Sequence, residues 1–284
     1  FLRASVRPDG SWAIDTNLAT WTTTLAIKAL DHTRGVLSPE QKRALRNWLL
    51  GQQYRAVHPY THAAPGGWAW SDLPGGVPDP DDTSGALLAL LSLGAVDGRI
   101  VRAGEAGLEW LLGLQNRDGG IPTFCRGWGT LPFDCSAPDL TAHALRAWSA
   151  WRPHVDARLQ SRLDRAISRG LNFLATTQRA EGSWVPLWFG HEHAPDDENP
   201  VYGTAQVLLA LRDLKHRGFQ LPGRIDRTAA EFLAGVQRLD GSWSGAGPDG
   251  PPSTEETALA IEALAGSAYI RVVDGGLEWL ITHV

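Results

Sequence analysis

The sequence predicts an all-α fold, an α/α toroid of helix-pair repeats in which an outer ring of helices encloses an inner ring. Three observations support this prediction. A signature of an aromatic residue, Leu, Gln and a Gly-aromatic turn recurs at intervals of roughly 50 to 60 residues, which is typical of a repeat architecture. An amphipathic segment precedes each signature and a more apolar segment follows it, both with the i, i+3, i+4 spacing of helices. Alternating strand patterns are nearly absent.

The signature begins six times along the chain. Residues 173–184 and 232–243 match position for position, and the copy that begins at Trp110 carries Ile121 in place of the second aromatic residue. The residues that begin the copies are Phe1, Trp48, Trp110, Phe173, Phe232 and Trp279. We expect the Gln and Trp of each turn to connect the end of an outer helix to the next repeat by hydrogen bonding and stacking.

The individual helices follow from the same pattern. The outer helices are predicted to end at the signature glutamines Gln53, Gln115, Gln178 and Gln237. The inner helices are predicted at Leu18–Leu30, Thr83–Leu93, Leu140–Trp151, Gly203–Leu214 and Glu255–Leu264. Gly and Pro residues cluster between them. Helix pairs could form an open solenoid or a closed toroid, and the more apolar second helices favour the toroid, a single barrel domain over residues 1–284. Because the inner helices of a toroid all point the same way, their N-terminal ends meet at one mouth of the cavity.

Composition limits the function. The chain has 284 residues, of which 43% are hydrophobic and 20% charged, so a large core is expected. Its net charge is −5 without a basic stripe, so nucleic acid is not a predicted partner. Two cysteines, Cys125 and Cys135, are too few for a disulfide framework or a closed zinc site. They indicate reduced thiols in a cytoplasmic protein, with a single disulfide as the alternative. No apolar run is long enough to span a membrane.

Three carboxylates fall within four residues, directly before the apolar helical run 85–93. They are Asp79, Asp81 and Asp82. When such a group is kept from water, mutual repulsion leaves at least one acid protonated at neutral pH. A neutral, dry carboxylic acid is a proton donor, which is the group needed to attack an alkene. The alternative interpretation is a helix cap, because Asp, Ser and Thr are common at helix starts.

A second polar pair lies at another predicted inner-helix start. Asp139 and His143 are four residues apart, so they share one helical face. A protonated His143 would hydrogen-bond an acid at the same mouth and sharpen its acidity, while the other carboxylates balance the charge. The alternative is a capping Asp with a core His.

These segments resemble squalene-hopene cyclases and other class II terpene cyclases. PDPDDTS at residues 78–84 resembles the DxDD motif of that family, DLTAH at 139–143 its DVTAH segment, and PVYGT at 200–204 its YLYGT segment. The repeated signature resembles its QW motifs, and the similarity runs through the whole chain in order. The resemblance implies an isoprenoid cyclase (an intramolecular isomerase) that cyclises a linear isoprenoid such as squalene or a prenyl diphosphate.

The resemblance also implies roles for the motif residues. Asp81 protonates a terminal double bond, with Asp79 and Asp82 as its flanking carboxylates. His143 assists Asp81, and Asp139 supports the network.

Three aromatic residues match family positions near the acid. Tyr202 matches a tyrosine beside it, while Trp70 and Trp21 match aromatics that stabilise carbocations. Aromatic faces do this through their quadrupole. Core packing is the alternative for Trp70 and Trp21. No metal ligand and no cofactor are predicted, and Mg²⁺ enters only if the substrate carries a diphosphate.

The chain departs from the family in two respects. Glu255 and Glu256 stand where neutral residues are expected, so either the cavity is more polar or these side chains cap the helix on its outer side. The family's sixth inner helix and second barrel are absent from this chain. An apolar wall left open to water is costly, so we expect further chain, another subunit or a peripheral membrane surface to complete it.

Two other functions are alternatives. A zinc-dependent prenyltransferase-like subunit needs Asp, Cys and His at inner-helix ends, and neither Cys begins an inner helix beside a matching His. A non-catalytic toroid that binds lipid or protein is the other alternative. The segment 191–198 contains two His and several acids; it is interpreted as a polar surface loop rather than a metal site.

Overall fold

A computed structural model describes residues 17–31, 33, 35–128, 131–194, 196–247 and 249–284. In these residues the α-helices are α1 (Ala19–Asp31), α2 (Pro39–Gln52), α3 (Pro80–Ser92), α4 (Gly98–Leu114), α5 (Pro138–Trp151), α6 (Ala157–Thr177), α7 (Pro200–His216), α8 (Ile225–Gly235), α9 (Thr254–Leu264) and α10 (Ile270–His283). Short antiparallel strands β1 (Ile121–Pro122) and β2 (Ser136–Ala137) pair with each other. The prediction of an all-α toroid is confirmed. The signature copy that begins at Phe1 lies outside the described residues.

The helices alternate between two layers along the chain. The odd-numbered helices pack side by side in the order α1, α3, α5, α7 and α9 and form the inner layer. Lys28 Nζ on α1 lies 3.1 Å from a carboxylate oxygen of Glu262 on α9, so the first and last of these helices also approach each other. The even-numbered helices pack against the inner ones from outside, and apolar side chains such as Leu87, Leu111 and Trp148 are buried between the layers.

The signature glutamines end the outer helices, as predicted, to within two residues. Each Nε2 donates hydrogen bonds of 2.8–3.1 Å to a glycine carbonyl in its own turn and to a carbonyl of the next outer helix. The acceptors in the next helix are Ala103, Ala166, Ile225 and Val272. The predicted link between repeats is therefore confirmed for Gln.

The signature tryptophans contact the next repeat through their rings rather than through their hydrogen bonds. The indole N–H groups of Trp68, Trp184 and Trp243 donate back to carbonyls of the helix in their own repeat, at 2.7–2.8 Å; these acceptors are Leu49, Leu174 and Leu233. The Trp hydrogen bond therefore stays within its own repeat, at a carbonyl in the last turn of the outer helix. The ring still packs on the next repeat: a Cβ on Gly107 of α4 would lie 2.9 Å from Trp68.

One threonine fixes the rotation of each of the inner helices α3, α5, α7 and α9. The Oγ1 atoms of Thr83, Thr141, Thr204 and Thr257 accept hydrogen bonds from backbone N–H groups of the signature turns. These threonines therefore face the outer layer. Because a helix turns by about 100° per residue, the residue two positions earlier points the opposite way, into the lumen.

Three of the inner helices begin two to three residues earlier than the sequence analysis predicted. α3, α5 and α7 start at Pro80, Pro138 and Pro200, each in the first turn, where the missing N–H of proline costs nothing. The consequence is that Asp81, Asp82 and Asp139 lie inside the first helical turn.

Candidate active site

The fold brings four residues to one level of the lumen. Asp81, Asp139, Tyr202 and Glu255 each stand two positions before the threonine that anchors its helix. They lie on the four consecutive inner helices α3, α5, α7 and α9. The mouth formed by these helix starts is therefore acidic, with one phenol among the carboxyl groups.

Asp79 has the capping function that was the alternative interpretation of the acid motif. It is the N-cap of α3, and its Oδ1 accepts a hydrogen bond of 2.8 Å from the backbone N–H of Asp82. Its own N–H donates to the carbonyl of Trp68 at 3.0 Å. These bonds hold the start of α3 against the signature turn, which sets the direction in which Asp81 projects.

Asp81 is held by two donors from different helices. Its Oδ1 lies 2.6 Å from Nδ1 of His143 on α5, and its Oδ2 accepts a hydrogen bond of 3.2 Å from the indole N–H of Trp21 on α1. The Asp81 side chain keeps 26% of its surface exposed. Burial raises the pKa of Asp81, but the hydrogen bond and charge of His143 and the Trp21 N–H outweigh it and hold that pKa below its usual value.

Asp79 and Asp82 lie behind Asp81, and both are buried. Burial, with a contribution from the charge of Asp81, raises the pKa of Asp79 to about 8. Burial and the charges of Asp79 and Asp81 raise the pKa of Asp82 well above its usual value. One oxygen of each carboxyl finds no hydrogen-bond partner among the described residues. The site therefore favours the protonated forms of Asp79 and Asp82 and the ionised form of Asp81.

Asp139 is also buried, and burial together with the charge of Asp81 raises its pKa to about 7. Its Oδ1 has no hydrogen-bond partner within the described part of the chain. Asp139 thus feels the charge of Asp81 from the turn of α5 that precedes His143.

Tyr202 stands next along the same level. Burial raises the pKa of its phenol, and the negative charges of Asp81, Asp139 and Glu255 raise it further. Its ring stacks on Phe189 at a centroid distance of 4.8 Å, and its backbone N–H is capped by Oδ1 of Asn199 at 3.0 Å. The phenol is thus a neutral hydrogen-bonding group among carboxyl groups.

The two tryptophans expected near the acid have distinct environments. Trp21 directs its N–H at Asp81, a contact that the sequence analysis did not foresee because it depends on how α1 is rotated. The carbonyl of Trp70 accepts the N–H groups of Thr20 and Trp21 at 3.0 and 3.3 Å, so it caps the start of α1. The Trp70 ring lies 6.2 Å from that of Phe124.

Trp70 belongs to an aromatic cluster that the sequence analysis missed. Its members are Trp70, Phe124, Trp128, Phe133 and Trp188, joined by centroid distances of 4.7–6.2 Å. Three of them lie in the stretch between β1 and β2, where the density of aromatic residues was the available signal. The cluster presents aromatic faces at the same end of the barrel as the acids.

The two glutamates that depart from the family pattern differ from each other. Glu256 is buried, and its Oε1 accepts a hydrogen bond of 2.7 Å from Asn199 at the start of α7. Glu255 is exposed and faces the lumen, and its charge acts on Tyr202. Glu255 therefore makes the cavity more polar, whereas Glu256 connects the starts of α7 and α9 through its hydrogen bond to Asn199.

Other candidate features lie away from this mouth or form no site. Cys125 and Cys135 are free thiols, as predicted. His193 and Glu192 are exposed in the surface loop 191–194. Among the described residues no three His, Cys, Asp or Glu side chains are grouped so that they could hold a metal ion. In the same part of the chain, no helix is long and apolar enough to cross a membrane.

Comparison with known proteins finds relatives of this chain. The family model of the squalene-hopene cyclase C-terminal domain matches residues 18–283. A squalene-hopene cyclase of Bradyrhizobium diazoefficiens is 29% identical over 293 residues, which are 92% of this chain and 42% of that protein. The chain spans 23–42% of the length of the curated relatives it matches.

Two solved structures share the fold. An ent-copalyl diphosphate synthase from Streptomyces platensis is 25% identical, with a TM-score of 0.68, and the match covers 100% of this chain and 48% of that one. A type II terpene cyclase from Scytonema, solved with geranylgeranyl dihydroxybenzoate, is 19% identical, with a TM-score of 0.64 over 93% of this chain and 68% of that one. The second similarity concerns the fold alone.

Proposed function

The chain belongs to the family of the squalene-hopene cyclase C-terminal domain, and on this premise we propose that it is a class II cyclase. In this function Asp81 starts the cyclisation of a linear isoprenoid by protonating a terminal carbon–carbon double bond. The reaction is an intramolecular isomerisation, so it consumes no co-substrate. No metal or cofactor takes part in the protonation.

The observation that carries this proposal is the environment of Asp81. It is the one carboxyl of the motif that is partly exposed, and it is paired with His143 at 2.6 Å. Because donors from His143 and Trp21 stabilise its carboxylate, its protonated form is a stronger acid than an ordinary Asp. A strong acid directed at a lumen is what an alkene, a weak base, requires.

The neighbouring acids contribute by staying neutral. If Asp79 and Asp82 were ionised, their charges would oppose the negative charge that forms on Asp81 when it gives up its proton. Burial raises the pKa of Asp82 well above its usual value and that of Asp79 to about 8, so the site favours the neutral form of both. The His143 imidazolium, when present, stabilises the Asp81 carboxylate left behind.

The first step transfers a proton from Asp81 to the alkene. The Asp81 O–H bond breaks with its electron pair retained by the carboxylate, and the alkene π electrons form the new C–H bond. The adjacent carbon becomes a tertiary cation, which the next double bond attacks to close a ring. Aromatic faces such as that of Trp70 stabilise such cations without donating a lone pair. The reaction ends when the last cation loses a proton, so the product is an isomer of the substrate.

The substrate class is a linear isoprenoid with an unmodified terminal alkene. Squalene and prenyl diphosphates both satisfy this description, and relatives named for each kind of product are similar to this chain. A diphosphate would be held outside the acid mouth, with Mg²⁺ as its counterion, because the mouth is lined by carboxyl groups.

The experiment is product analysis in heavy water. The purified protein is incubated with squalene, farnesyl diphosphate and geranylgeranyl diphosphate in D₂O, and products are examined by mass spectrometry. Protonation by an exchangeable carboxyl predicts a cyclic product with one deuterium at the initiating carbon. A cyclic product without deuterium, or only linear material from every substrate, would refute the proposal.

A further inference from the structure

Glu255 faces the lumen of the barrel, unlike its buried neighbour Glu256. It stands two residues before Thr257, as Asp81 stands two residues before Thr83, and both threonines accept the backbone N–H of a signature-turn Trp. The two helices therefore have the same rotation relative to the outer layer. Glu255 and Asp81 consequently face the same lumen at the same level.

The order of the inner helices sets these two carboxyl groups apart across the lumen. α3 and α9 are not neighbours: α5 and α7 separate them on one side and α1 on the other. Tyr202 on α7 lies between them, since the charges of both Asp81 and Glu255 act on its phenol. One wall of the mouth therefore carries the proposed acid, and the opposite wall carries a second carboxyl group.

The carboxylate of Glu255 is committed to nothing else. No hydrogen bond or ion pair involves it among the residues that the structure describes, and its side chain is exposed. By contrast, Glu256 is bound to Asn199 at 2.7 Å, and Glu262, on the same face of α9, is paired with Lys28 at 3.1 Å. A structural carboxylate in this helix has a partner, and Glu255 has none in the described chain.

We propose that Glu255 is the base that ends the reaction by taking a proton from the final carbocation. This inference rests on the proposed cyclase function. The C–H bond next to the cationic carbon breaks, its electron pair forms the new double bond, and the proton passes to a carboxylate oxygen of Glu255. Glu255 then releases the proton to water at the open mouth, and Asp81 takes one up, so the reaction remains an isomerisation.

The surroundings of Glu255 suit a base. Partial burial and the charge of Glu256 raise its pKa, which increases its affinity for a proton. A carboxylate that is ionised and unpaired also attracts a carbocation, so the cation is quenched where the carboxylate stands. Acid and base on opposite walls at one level favour a compact ring system whose first and last cations both lie within the mouth.

The test compares Glu255→Gln with a matched control, Glu262→Gln. The control makes the same chemical change on the same face of α9, two turns further from the mouth. We expect Glu255→Gln to lower the rate of alkene formation about 100-fold or more, as loss of a general base does, and to shift the products toward alcohols or other alkenes. Glu262→Gln should leave the product ratio unchanged.

The outcomes separate the two proposals. If the wild type gives a cyclic alkene and Glu255→Gln gives the same products at the same rate, the base assignment is overturned while the cyclase function stands. A wild-type product that is an alcohol also overturns it. If the wild type cyclises nothing, both proposals fail. Should Glu255→Gln not fold, as judged by circular dichroism, Glu255→Asp replaces it and should form the same alkene more slowly; other products would contradict the role.

Discussion

At the scale of single residues, the acid site depends on different donors reaching the two oxygens of one carboxyl group. Asp81 contacts His143 through Oδ1 and Trp21 through Oδ2, and these donors come from α5 and α1. The pairing of Asp81 with His143 was expected from sequence, since helix starts that meet at one mouth bring them together. The Trp21 contact was not, because it depends on the rotation of α1 around its axis.

The proposed acid is tested by Asp81→Asn. The amide has nearly the shape of the carboxyl but no acidic proton, so cyclisation should fall by at least about 1,000-fold, within the range for loss of a general acid. The fold should persist, as a circular dichroism melt would show. Asp97→Asn is the matched control, because Asp97 caps the outer helix α4 away from the mouth. Activity near that of wild type in Asp81→Asn would remove Asp81 from the acid role.

Trp21→Phe separates the hydrogen bond of Trp21 from its aromatic face. The variant keeps a ring but loses the N–H that stabilises the Asp81 carboxylate. A hydrogen bond to a charged group contributes about 1.5–3 kcal/mol, so the pKa of Asp81 should rise by about one unit or more. Turnover requires protonated Asp81, so the pH at which activity declines should move upward by a similar amount, as a pH–rate profile would show.

The control for this shift is Trp70→Phe. It removes an indole N–H from the same mouth without touching Asp81, so the pH of decline should stay where it is in the wild type. Equal profiles for Trp21→Phe and wild type would mean that the Trp21 N–H does not tune the acid.

At the scale of elements, the repeat is a unit of four residue types with separate tasks. Gln joins consecutive outer helices, Trp caps its own helix, and Thr fixes the rotation of the inner helix. The sequence predicted the helix ends from Gln, but it did not predict the direction of the Trp bond, which depends on which carbonyl lies near. The starts of α3 and α5 were predicted two to three residues late, because proline in the first turn resembles a break.

The fourth type is the glycine of the turn. Gly182 has φ +100°, and a Cβ there would lie 2.3 Å from the carbonyl oxygen of Thr228 in the next outer helix. Gly218 has φ +85°, but a Cβ would meet nothing within 4 Å. Gly218→Ala should cost about 1–2 kcal/mol of unfolding free energy from backbone strain alone. Gly182→Ala should cost about 1–3 kcal/mol more, because the two helices must move apart.

Urea denaturation of both alanine variants measures this difference. Equal losses would show that the close approach of the turn to the next helix relaxes at no cost, and that only the backbone conformation requires glycine at these turns.

At the scale of the whole molecule, a site made of buried acids has a cost in stability. Asp79, Asp82 and Asp139 are buried carboxyl groups with raised pKa values. The unfolded chain ionises such groups near pH 4, while the native chain holds their protons to higher pH. The clustering of these acids followed from sequence, whereas the degree of burial, which sets the pKa, required the packed barrel.

The resulting pH dependence follows from linkage. A group whose native pKa exceeds its unfolded pKa binds more protons in the native state, so stability is greatest below the unfolded value and falls as pH rises through the native one. For Asp139 the native pKa is raised to about 7, so its contribution declines from about pH 4 and levels off above the native value. Asp81 has the opposite sign, because its pKa is lowered, and its contribution is lost only as pH falls below the normal range of Asp.

Asp139→Asn isolates the contribution of Asp139 ionisation to the free energy of unfolding, because an amide does not ionise. Each pH unit changes the free energy of unfolding by about 1.4 kcal/mol per proton, and Asp139 is half protonated near pH 7, so the variant should gain about 1 kcal/mol over wild type between pH 6 and pH 8. Urea denaturation at both pH values measures this gain.

Asp97→Asn is the control, since the pKa of Asp97 is lowered by backbone N–H bonds and it stays ionised throughout this range. A constant difference between Asp139→Asn and wild type at both pH values would mean that Asp139 is already ionised at pH 6, and the charge balance proposed for the mouth would then be wrong.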